Sequence, residues 1–411
     1  MAKIKPFKAV RPSRDKVGLV VTRSYEDYSE AEREASLSFN PFSFLHIVNP
    51  GYKFHQEVSG PQRFQLVYNR YIEFKEDQIF IQDEKPSFYI YKMVARNHEF
   101  CGIFGGASTD DYRKDVIKKH EDTLEHKEVL FKDYLKTVGF NAEPVLLTYP
   151  DNALIEKVVN RYTKTPPEYE FATKDRNIHF LWKIDNEDDV ATLQQEFKNI
   201  GNLYIADGHH RSASSNLLAE ELKAENAKHT GEEPYNYFMS YLIPESNLKI
   251  YEFNRLVKDL NGLSKEAFLI HLDKYFKIEN NSQEAIKPSK KHQFTMYLDG
   301  DFYSLHLRKT VYQFTNSLSE LDAQILYKTV LEPILNISDL RNDHRIAYGY
   351  GKHNIIKMKD LVDDGIYEVG FSLLPVTIKE MKKIADDGLQ MPPKSTYIEP
   401  KMRSGLTIYE F

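Results

Sequence analysis

A short polar turn between a buried strand and a helix carries the side chains best suited to chemistry. The strand is predicted at Leu203–Ala206, and a helix is expected to open near Arg211. The turn and the first residues of that helix are Asp207, Gly208, His209, His210, Arg211 and Ser212. The first turn of a helix has backbone N–H groups without intrahelical partners, and a preceding glycine lets a phosphate or carboxylate approach them closely. The segment therefore predicts a site that binds an anion and acts upon it.

The same turn has other interpretations. Asp207 could be a helix N-cap, with the two histidines bonded locally. A metal cluster is poorly matched because neighbouring residues seldom point at one ion, although Asp207 stays a candidate ligand for Mg²⁺. The Walker spacing of glycine, lysine and serine or threonine does not occur at this turn. A phosphate cradle is favoured, because Gly208 permits close approach and Arg211 adds a fork of donors.

A second cluster of polar residues is predicted at or near a helix start. Its members are Lys118, Lys119, His120, Glu121, Asp122 and Thr123. Glu121 could be the general base for a hydroxyl group or a ligand to a divalent ion, with His120 as a second catalytic group. Lys119 and Thr123 are predicted to bind phosphate. The alternative is a solvated, capped helix end, and a zincin is excluded because His126 follows six residues after His120 rather than four.

Two further segments offer groups for an anion. Paired prolines stiffen the loop that presents Lys394, Ser395 and Thr396, and we predict that these three residues bind phosphate. Arg11 is predicted to hold an anionic group as well. The alternatives are a rigid surface turn for the loop and ordinary exposed charge for Arg11.

The composition predicts a soluble globular protein, with 41% apolar and 28% charged residues among 411. The formal net charge of −6 offers no general attraction to nucleic acid, so no nucleic-acid partner is expected. The single cysteine, Cys101, cannot form an internal disulfide, which fits a reducing cytoplasm. The sequence shows neither a signal-peptide core nor an apolar window of membrane-spanning length, so we expect a cytoplasmic protein without a membrane partner.

The elements that must position these groups are strands and helices in mixed order. Continuous apolar runs at Pro144–Tyr149 and Phe238–Ile243 predict strands covered on both faces by helices. We therefore predict an α+β fold in which helices flank a mixed sheet. The main domain would span residues 1–254 and 317–411, and a small α+β subdomain would be inserted at 255–316, where Asp299-Gly300 indicates a hairpin.

Local patterns give more specific expectations. The apolar runs Val17–Thr22 and Ser43–Val48 predict strands. Ser29 is predicted to cap a helix, with Glu32 completing a capping box. Longer helices are predicted at Tyr112–Val138, which would end at Gly139, and at Leu321–Leu335.

The ordered set of motifs resembles domain-of-unknown-function family 1015 over nearly the whole chain. The matching segments are Lys5–Pro12, Asn40-Pro41, Phe44–His46, Lys119–Thr123, Ala142–Val145, Leu203–Arg211, Leu331–Leu335 and Met391–Tyr397. Family members usually carry Pro-Pro-Tyr-Asp where this chain has Arg23–Glu26, and many carry Thr-His-Arg where it has Phe253–Arg255. These departures argue against a catalytic role at either place.

A narrower resemblance concerns the turn alone. With its strand and helix, it is similar to the nucleotide-phosphate loop of the ParB/sulfiredoxin superfamily, which includes free-serine kinases that use ADP or ATP. The resemblance implies a ParB/sulfiredoxin-like core and makes Asp207 a catalytic or magnesium-linked carboxylate. It places nucleotide phosphates on Gly208, His209, His210 and Arg211. The kinases also use a glutamate as base, and Glu121 is assigned that role on chemical grounds.

These observations lead to three functional hypotheses. The first is a phosphotransferase for a small hydroxyl metabolite, above all serine or phosphoserine, using ADP or ATP with Mg²⁺. A histidine of the pair could then act as donor or acid, since imidazole titrates near neutral pH. The second is a phosphomonoester hydrolase that acts on phosphoserine at the same anion site. The third is a nucleotide-binding regulatory protein without chemistry. In the first two, the partner is a small phosphate-bearing molecule.

Overall fold

Two compact units make up the computed structural model, which describes residues 1–96, 98–350 and 354–411. Unit 1 comprises Met1–Lys119, Thr123–Leu248 and Pro400–Phe411, and unit 2 comprises His120–Asp122 and Lys249–Glu399. Each unit is built on its own β-sheet. The predicted α+β fold with a mixed sheet and flanking helices is therefore confirmed.

The elements of unit 1, numbered in chain order through the whole protein, are short strands and helices of mixed length. Its strands are β1 (Ile4–Lys5), β2 (Val10–Pro12), β3 (Phe80–Gln82), β4 (Phe88–Ala95), β5 (His98–Ser108), β6 (Ile117–Lys118), β7 (Phe140–Asn141), β8 (Val145–Tyr149), β9 (Tyr169–Ala172), β10 (Ile178–Ile184), β11 (Leu203–Asp207), β12 (Tyr237–Pro244) and β21 (Tyr409–Glu410). Its helices are α1 (Val17–Val20), α2 (Glu30–Phe39), α3 (Leu45–Val48), α4 (Gly60–Glu76), α5 (Thr109–Arg113), α6 (Glu125–Val138), α7 (Ala153–Tyr162), α8 (Glu187–Asn199) and α9 (His209–Glu225).

Unit 2 has fewer elements. Its strands are β13 (Lys249–Tyr251), β14 (Phe253–Val257), β15 (Phe276–Asn280), β16 (Gln293–Leu298), β17 (Asp301–Leu307), β18 (Ile346–Tyr350), β19 (Val369–Ser372) and β20 (Tyr397–Glu399). Its helices are α10 (Lys265–Asp273), α11 (Asp322–Leu326), α12 (Asn354–Asp363) and α13 (Ile378–Asp386). No helix of the described residues combines the length and the apolar character that a membrane crossing requires.

The large sheet of unit 1 brings the turn after β11 next to the start of β8. Its strand order within the described residues is β6-β11-β8-β12-β5-β4-β10-β9, with β1 paired to β5. Strands β11 and β8 run antiparallel, and Asp207 is opposite Leu146 in their register. Because the end of one antiparallel strand adjoins the start of its neighbour, Glu143 and Pro144 lie beside the turn.

The core of unit 1 forms because its central strands are apolar on both faces. Strand β8 is buried along its whole length, and β12 is buried from Tyr237 to Ile243. One core cluster joins Ile205 of β11 and Phe238 of β12 to Leu193 of α8 and Ala213 of α9. Burying a large apolar side chain contributes about 1.5–3 kcal/mol, so this core stabilises the positions of β11 and α9 on either side of the turn.

Two apolar runs that we predicted as strands are helical instead. Val17–Thr22 contains α1, and Ser43–Val48 contains α3. A short apolar run cannot be distinguished from a buried helical turn by its periodicity. Here Val20, Phe44 and Ile47 pack into one cluster with the buried face of α4, and this tertiary contact selects the helix.

The helix predicted at Tyr112–Val138 is interrupted. Strand β6 lies between α5 and α6, because Ile117 is fully buried and β6 forms the sheet edge beside β11. The predicted end of the helix is correct, since Gly139 takes a left-handed conformation with φ of 72°. The capping box at Ser29 and Glu32 is also confirmed.

Unit 2 contains an antiparallel sheet with the order β15-β17-β16-β19-β14-β18 in the described part of the chain. The hairpin predicted at Asp299-Gly300 joins β16 to β17, and both turn residues have positive φ. The insertion at 255–316 stays a prediction, and in this sheet β19, from later in the chain, lies between β16 and β14. The helix predicted at Leu321–Leu335 is α11 followed by a π-helical turn, Tyr327–Leu331.

Candidate functional site

The turn after β11 is built around Gly208, whose φ of 98° is readily adopted only by glycine. Helix α9 begins at His209, two residues earlier than predicted, so both histidines belong to its first turn. Gly208 is the N-cap, and it has no side chain that could accept a bond from the first N–H groups of the helix. The alternative in which Asp207 caps the helix is therefore excluded, and the positive end of the α9 dipole faces the turn.

Arg211 folds back over this glycine. Its Nη1 donates to the carbonyl oxygen of Pro144 at 2.7 Å, and its Nη2 donates to Asp207 Oδ2 at 3.1 Å. A Cβ atom on residue 208 would lie 3.0 Å from Arg211 Nε, closer than such atoms normally approach. Glycine is thus favoured by its backbone angle, and any larger residue would also require the Arg211 guanidinium to shift by a few tenths of an ångström.

Glu143 connects Arg211 to two segments that are distant in sequence. Its Oε2 lies 3.6 Å from Arg211 Nη1, and its Oε1 accepts hydrogen bonds from Ser24 at 3.2 Å and from Ser404 at 2.6 Å. Glu143 was not among the predicted site residues, although it belongs to a segment that matches the family. The signal that would have found it is the pairing of β8 with β11, which a single sequence does not reveal.

Lys401 supplies a second cation at the turn, and it was also missed. Its Nζ lies 3.6 Å from Asp207 Oδ1. Burial by itself would raise the pKa of Asp207, but Lys401 and Arg211 outweigh burial and lower this pKa. Asp207 is therefore an anion at neutral pH, held between two cations, with 37% of its side chain exposed. An incoming phosphate would meet both cations and the helix N-terminus together.

Asp27 is a further carboxyl group influenced by this cluster. Burial raises the pKa of Asp27, and the negative charges of Glu143 and Asp207 add to the effect, while Lys401 and Arg23 oppose it. A carboxyl group with a raised pKa near an anion site is a candidate general base. Asp27 directly follows the segment where the departure from the family led us to expect no catalytic role.

The two histidines differ in their surroundings. His209 is 5% exposed, and burial lowers its pKa to about 4, although Asp207 acts in the opposite direction. Its imidazole is therefore neutral at pH 7 and offers one donor and one acceptor. His210 is only partly buried, so it is the more accessible of the pair to a ligand.

Other predicted binding residues of unit 1 are engaged within the fold. Ser212 is fully buried, and its hydroxyl donates to the carbonyl oxygen of His209 at 3.0 Å. Thr123 donates to the carboxylate of Glu128. The positive charge of Lys119 contributes to lowering the pKa of His209, so Lys119 lies within electrostatic range of the turn. The phosphate-binding roles of these residues stay predictions.

Arg11 is enclosed by an internal network. Its Nε and Nη2 donate to the two carboxylate oxygens of Asp83, both at 3.0 Å, and its Nη1 donates to Tyr169 Oη at 2.6 Å. The guanidinium is 6% exposed. These partners neutralise the charge of Arg11 inside unit 1. That Arg11 binds an external anion stays a prediction, and this geometry does not favour it.

Two predicted segments meet in unit 2. The backbone N–H of Met391 donates to the carbonyl oxygen of His120 at 2.9 Å. His120 is fully buried, and its Nε2 lies 4.0 Å from Glu121 Oε1.

The loop that follows Met391 is held by an internal hydrogen bond. Ser395 is buried and its hydroxyl donates to the carbonyl oxygen of Pro392 at 2.6 Å, whereas Lys394 is exposed and Thr396 is partly exposed. Ser395 therefore shapes the loop, and Lys394 is the residue of the three best placed for a ligand.

Magnesium was predicted at Asp207. In residues 1–96, 98–350 and 354–411, no group of three or more His, Cys, Asp or Glu side chains is arranged to hold a metal ion. The oxygens of Asp207 already face Arg211 and Lys401. Mg²⁺ commonly binds through one or two carboxylates together with phosphate oxygens and water. The residues present therefore fit an ion brought by a nucleotide better than a site made by protein alone.

Several solved structures share a distant similarity with the chain. SbnI with a C-terminal truncation, from Staphylococcus aureus, is 12% identical with a TM-score of 0.38, over 74% of this chain and 85% of that chain. A mutant free serine kinase in complex with AMP is 15% identical with a TM-score of 0.38, over 74% and 91%. A conserved hypothetical protein from Pyrococcus furiosus is 14% identical with a TM-score of 0.35, over 74% and 95%. No functional argument rests on similarities this low.

The sequence comparison is more decisive. No curated protein matches the chain. The family described as Protein of unknown function (DUF1015) matches residues 4–324, well over half of the chain and most of the motifs that suggested it. The protein is thus a member of the DUF1015 family.

Proposed function

We propose that the protein is a nucleotide-dependent phosphotransferase that acts on a small hydroxyl metabolite, with serine as the first substrate to test. The observation that supports this most is the turn at Gly208, where Arg211 and Lys401 lie on either side of Asp207 at the start of α9. Phosphoryl transfer depends chiefly on positioning and on neutralising developing charge. A glycine N-cap with two flanking cations provides both.

In this proposal the turn is a ParB/sulfiredoxin-like phosphate loop. The phosphates of ADP or ATP bind the backbone of Gly208 and the first turn of α9, with Arg211 and Lys401 neutralising their charge. Mg²⁺, held mainly by the nucleotide oxygens, supplies further charge neutralisation when bound. Asp207 keeps the two cations in place, and His210 contacts the transferred group.

The base that accepts the hydroxyl proton is one of two carboxyl groups. Glu121 was predicted from the chemistry of its cluster and is partly exposed. Burial raises the pKa of Asp27, which makes this carboxylate a better proton acceptor than an ordinary aspartate, and it lies within the electrostatic range of Asp207. Separate Asp27→Asn and Glu121→Gln variants distinguish them, because loss of the base lowers kcat far more than it changes nucleotide affinity.

The test is to incubate the purified protein with ADP or ATP, Mg²⁺ and a panel of amino acids, and to look for new phosphorylated products. We expect O-phosphoserine from the wild type. Asp207→Asn and His210→Ala should abolish turnover while the protein stays folded by circular dichroism. Asp15→Asn, which alters an aspartate with a 70% exposed side chain, is the matched control and should leave the rate unchanged.

Other outcomes select the remaining hypotheses. Release of inorganic phosphate from phosphoserine without any nucleotide would identify a phosphomonoester hydrolase. Tight nucleotide binding without any product would identify a regulatory protein. Full activity in Asp207→Asn would remove that residue from the mechanism.

A further inference from the structure

Arg255, in β14 of unit 2, is a buried cation whose partners are all neutral. Its side chain is 3% exposed. It donates to the carbonyl oxygen of Phe253 and to the carbonyl oxygen of Lys394, the latter at 3.2 Å, and its guanidinium lies 5.7 Å from the centre of the Tyr348 ring. In the described part of the chain, no carboxylate pairs with it.

Two other buried arginines of this protein, in contrast, each have a carboxylate partner. Arg11 is 6% exposed and binds Asp83 with two hydrogen bonds, and Arg403 is 7% exposed and binds Asp175. Burying an ionised group is costly unless it is paired, so buried charges normally have a counter-ion. Burial lowers the pKa of Arg255 to about 10, which still leaves it charged at neutral pH.

Lys394 brings a second positive charge to the same place. Its Nζ lies 5.7 Å from the centre of the Phe253 ring, the residue whose carbonyl oxygen Arg255 binds. Lys394 itself has a left-handed backbone, with φ of 56°, and the hydrogen bond from Ser395 to Pro392 closes the turn that presents it. A constrained loop thus presents Lys394 beside Arg255, which binds the backbone carbonyl oxygen of Lys394.

We propose that Arg255 and Lys394 form a second binding site, in unit 2, for the oxyanion of a small metabolite, either a carboxylate or a phosphate. The planar fork of an arginine suits the paired oxygens of both groups, and a lysine adds a mobile point charge. The bound oxyanion is the counter-ion that Arg255 lacks within the protein. Lys394 was already predicted from the sequence to bind phosphate, and Arg255 is the residue that the structure adds. The inference does not rest on the proposed phosphotransferase activity, because it involves none of the residues of the turn.

The test measures the thermal unfolding midpoint of the full chain while inorganic phosphate or acetate is added at constant ionic strength. The Arg211→Gln variant is the starting protein, so that the turn contributes little to the response. We expect a saturable rise in the midpoint with at least one of the two anions. The anion that produces the rise shows whether the site prefers a carboxylate or a phosphate. Adding Arg255→Gln should abolish the rise, whereas adding Arg308→Gln, at an exposed arginine paired with Asp273, should leave it intact.

Lys394→Gln provides an independent check, because this side chain is exposed and its loss should not disturb folding. We expect the half-saturating anion concentration to increase at least fivefold, with the midpoint in anion-free buffer unchanged. Absence of a saturable response to both anions would overturn the proposal. So would a response that persists unchanged in the Arg255→Gln or Lys394→Gln protein.

Discussion

Arg11 and Arg211 both lie in segments that match the family, yet their surroundings differ. Asp83 and Tyr169 satisfy the donors of Arg11 inside the fold. Arg211 is instead held beside the end of β11 by Asp207 and by a backbone carbonyl, with 29% of its side chain exposed. The sequence could identify both as candidates, but only the tertiary partners separate a structural arginine from one that can meet a ligand.

Glu143→Gln tests whether the carboxylate behind Arg211 positions it. The variant removes the negative charge that faces Arg211 and keeps an oxygen that Ser24 or Ser404 can still bind. Loss of one charge-assisted contact costs about 1.4 kcal/mol, so we expect roughly tenfold weaker nucleotide binding with a smaller change in kcat. Isothermal titration calorimetry and steady-state kinetics measure the two quantities.

The matched control is Glu221→Gln, at a surface glutamate of α9 that pairs with Lys132 and Lys136. It should bind nucleotide like the wild type. A Glu143→Gln protein with lowered stability but unchanged affinity would make this residue purely structural. A double-mutant cycle with Arg211→Lys should show coupling, because the two side chains are in contact.

At the scale of the elements, the sequence correctly predicted those features that depend only on residues close together in the chain. The buried strands β8, β11 and β12 follow from continuous apolar runs, and the start of α2 follows from Ser29 and Glu32. The strands predicted in place of α1 and α3 were wrong, because packing against α4 decides the conformation of those runs. For the same reason Asp207 and Arg211 could be identified from sequence, whereas Glu143 and Lys401 reach the turn only through strand pairing and the return of the chain.

Gly208→Ala tests the turn itself, with Gly139→Ala as its matched control. Both glycines have positive φ, so either substitution should lower the free energy of unfolding by about 1–2 kcal/mol. A Cβ atom at position 139 meets nothing within 4 Å, whereas one at position 208 displaces Arg211. We therefore expect nucleotide affinity to fall at least tenfold in Gly208→Ala and to stay unchanged in Gly139→Ala.

Urea denaturation and calorimetric titration measure these two effects separately. If Gly208→Ala bound nucleotide as tightly as Gly139→Ala, the backbone of the turn would have no part in binding.

At the scale of the whole molecule, two buried histidines make stability depend on pH. His179 is fully buried, and burial lowers its pKa to about 4, as it does for His209. In the unfolded chain both titrate near pH 6.5. The unfolded state therefore binds more protons between pH 4 and 6.5, and stability should fall as the pH drops through this window. Above pH 6.5 these two groups should have no further effect.

The measurement is the urea midpoint of the wild type at pH 4.5, 5.5, 6.5 and 7.5. His209→Asn should flatten the acid side of this curve, because it removes one of the two groups. His126→Gln, at an exposed histidine of α6, is the control and should reproduce the wild-type slope. An unchanged slope in His209→Asn would show that its imidazole is protonated as readily in the folded protein as in the unfolded chain.

The boundaries of the units were the part of the fold least accessible from sequence. A hairpin signal marked β16 and β17, but nothing local indicates that β19 lies between β16 and β14. Nor does any local feature show that Pro400–Phe411 rejoins unit 1, where β21 pairs with β7. Such contacts depend on shape complementarity between segments far apart in the chain.

That return of the chain has a consequence for protein synthesis. When α9 has emerged from the ribosome, Asp207 and Arg211 have already been synthesised. Lys401 and Ser404 are synthesised only after unit 2. At about 5–20 residues per second, the roughly 175 residues between α9 and Lys401 take on the order of 10 s to translate. During that interval the nascent turn has only one of its two cations, so the phosphate site that we propose would be complete only after unit 2 has been translated.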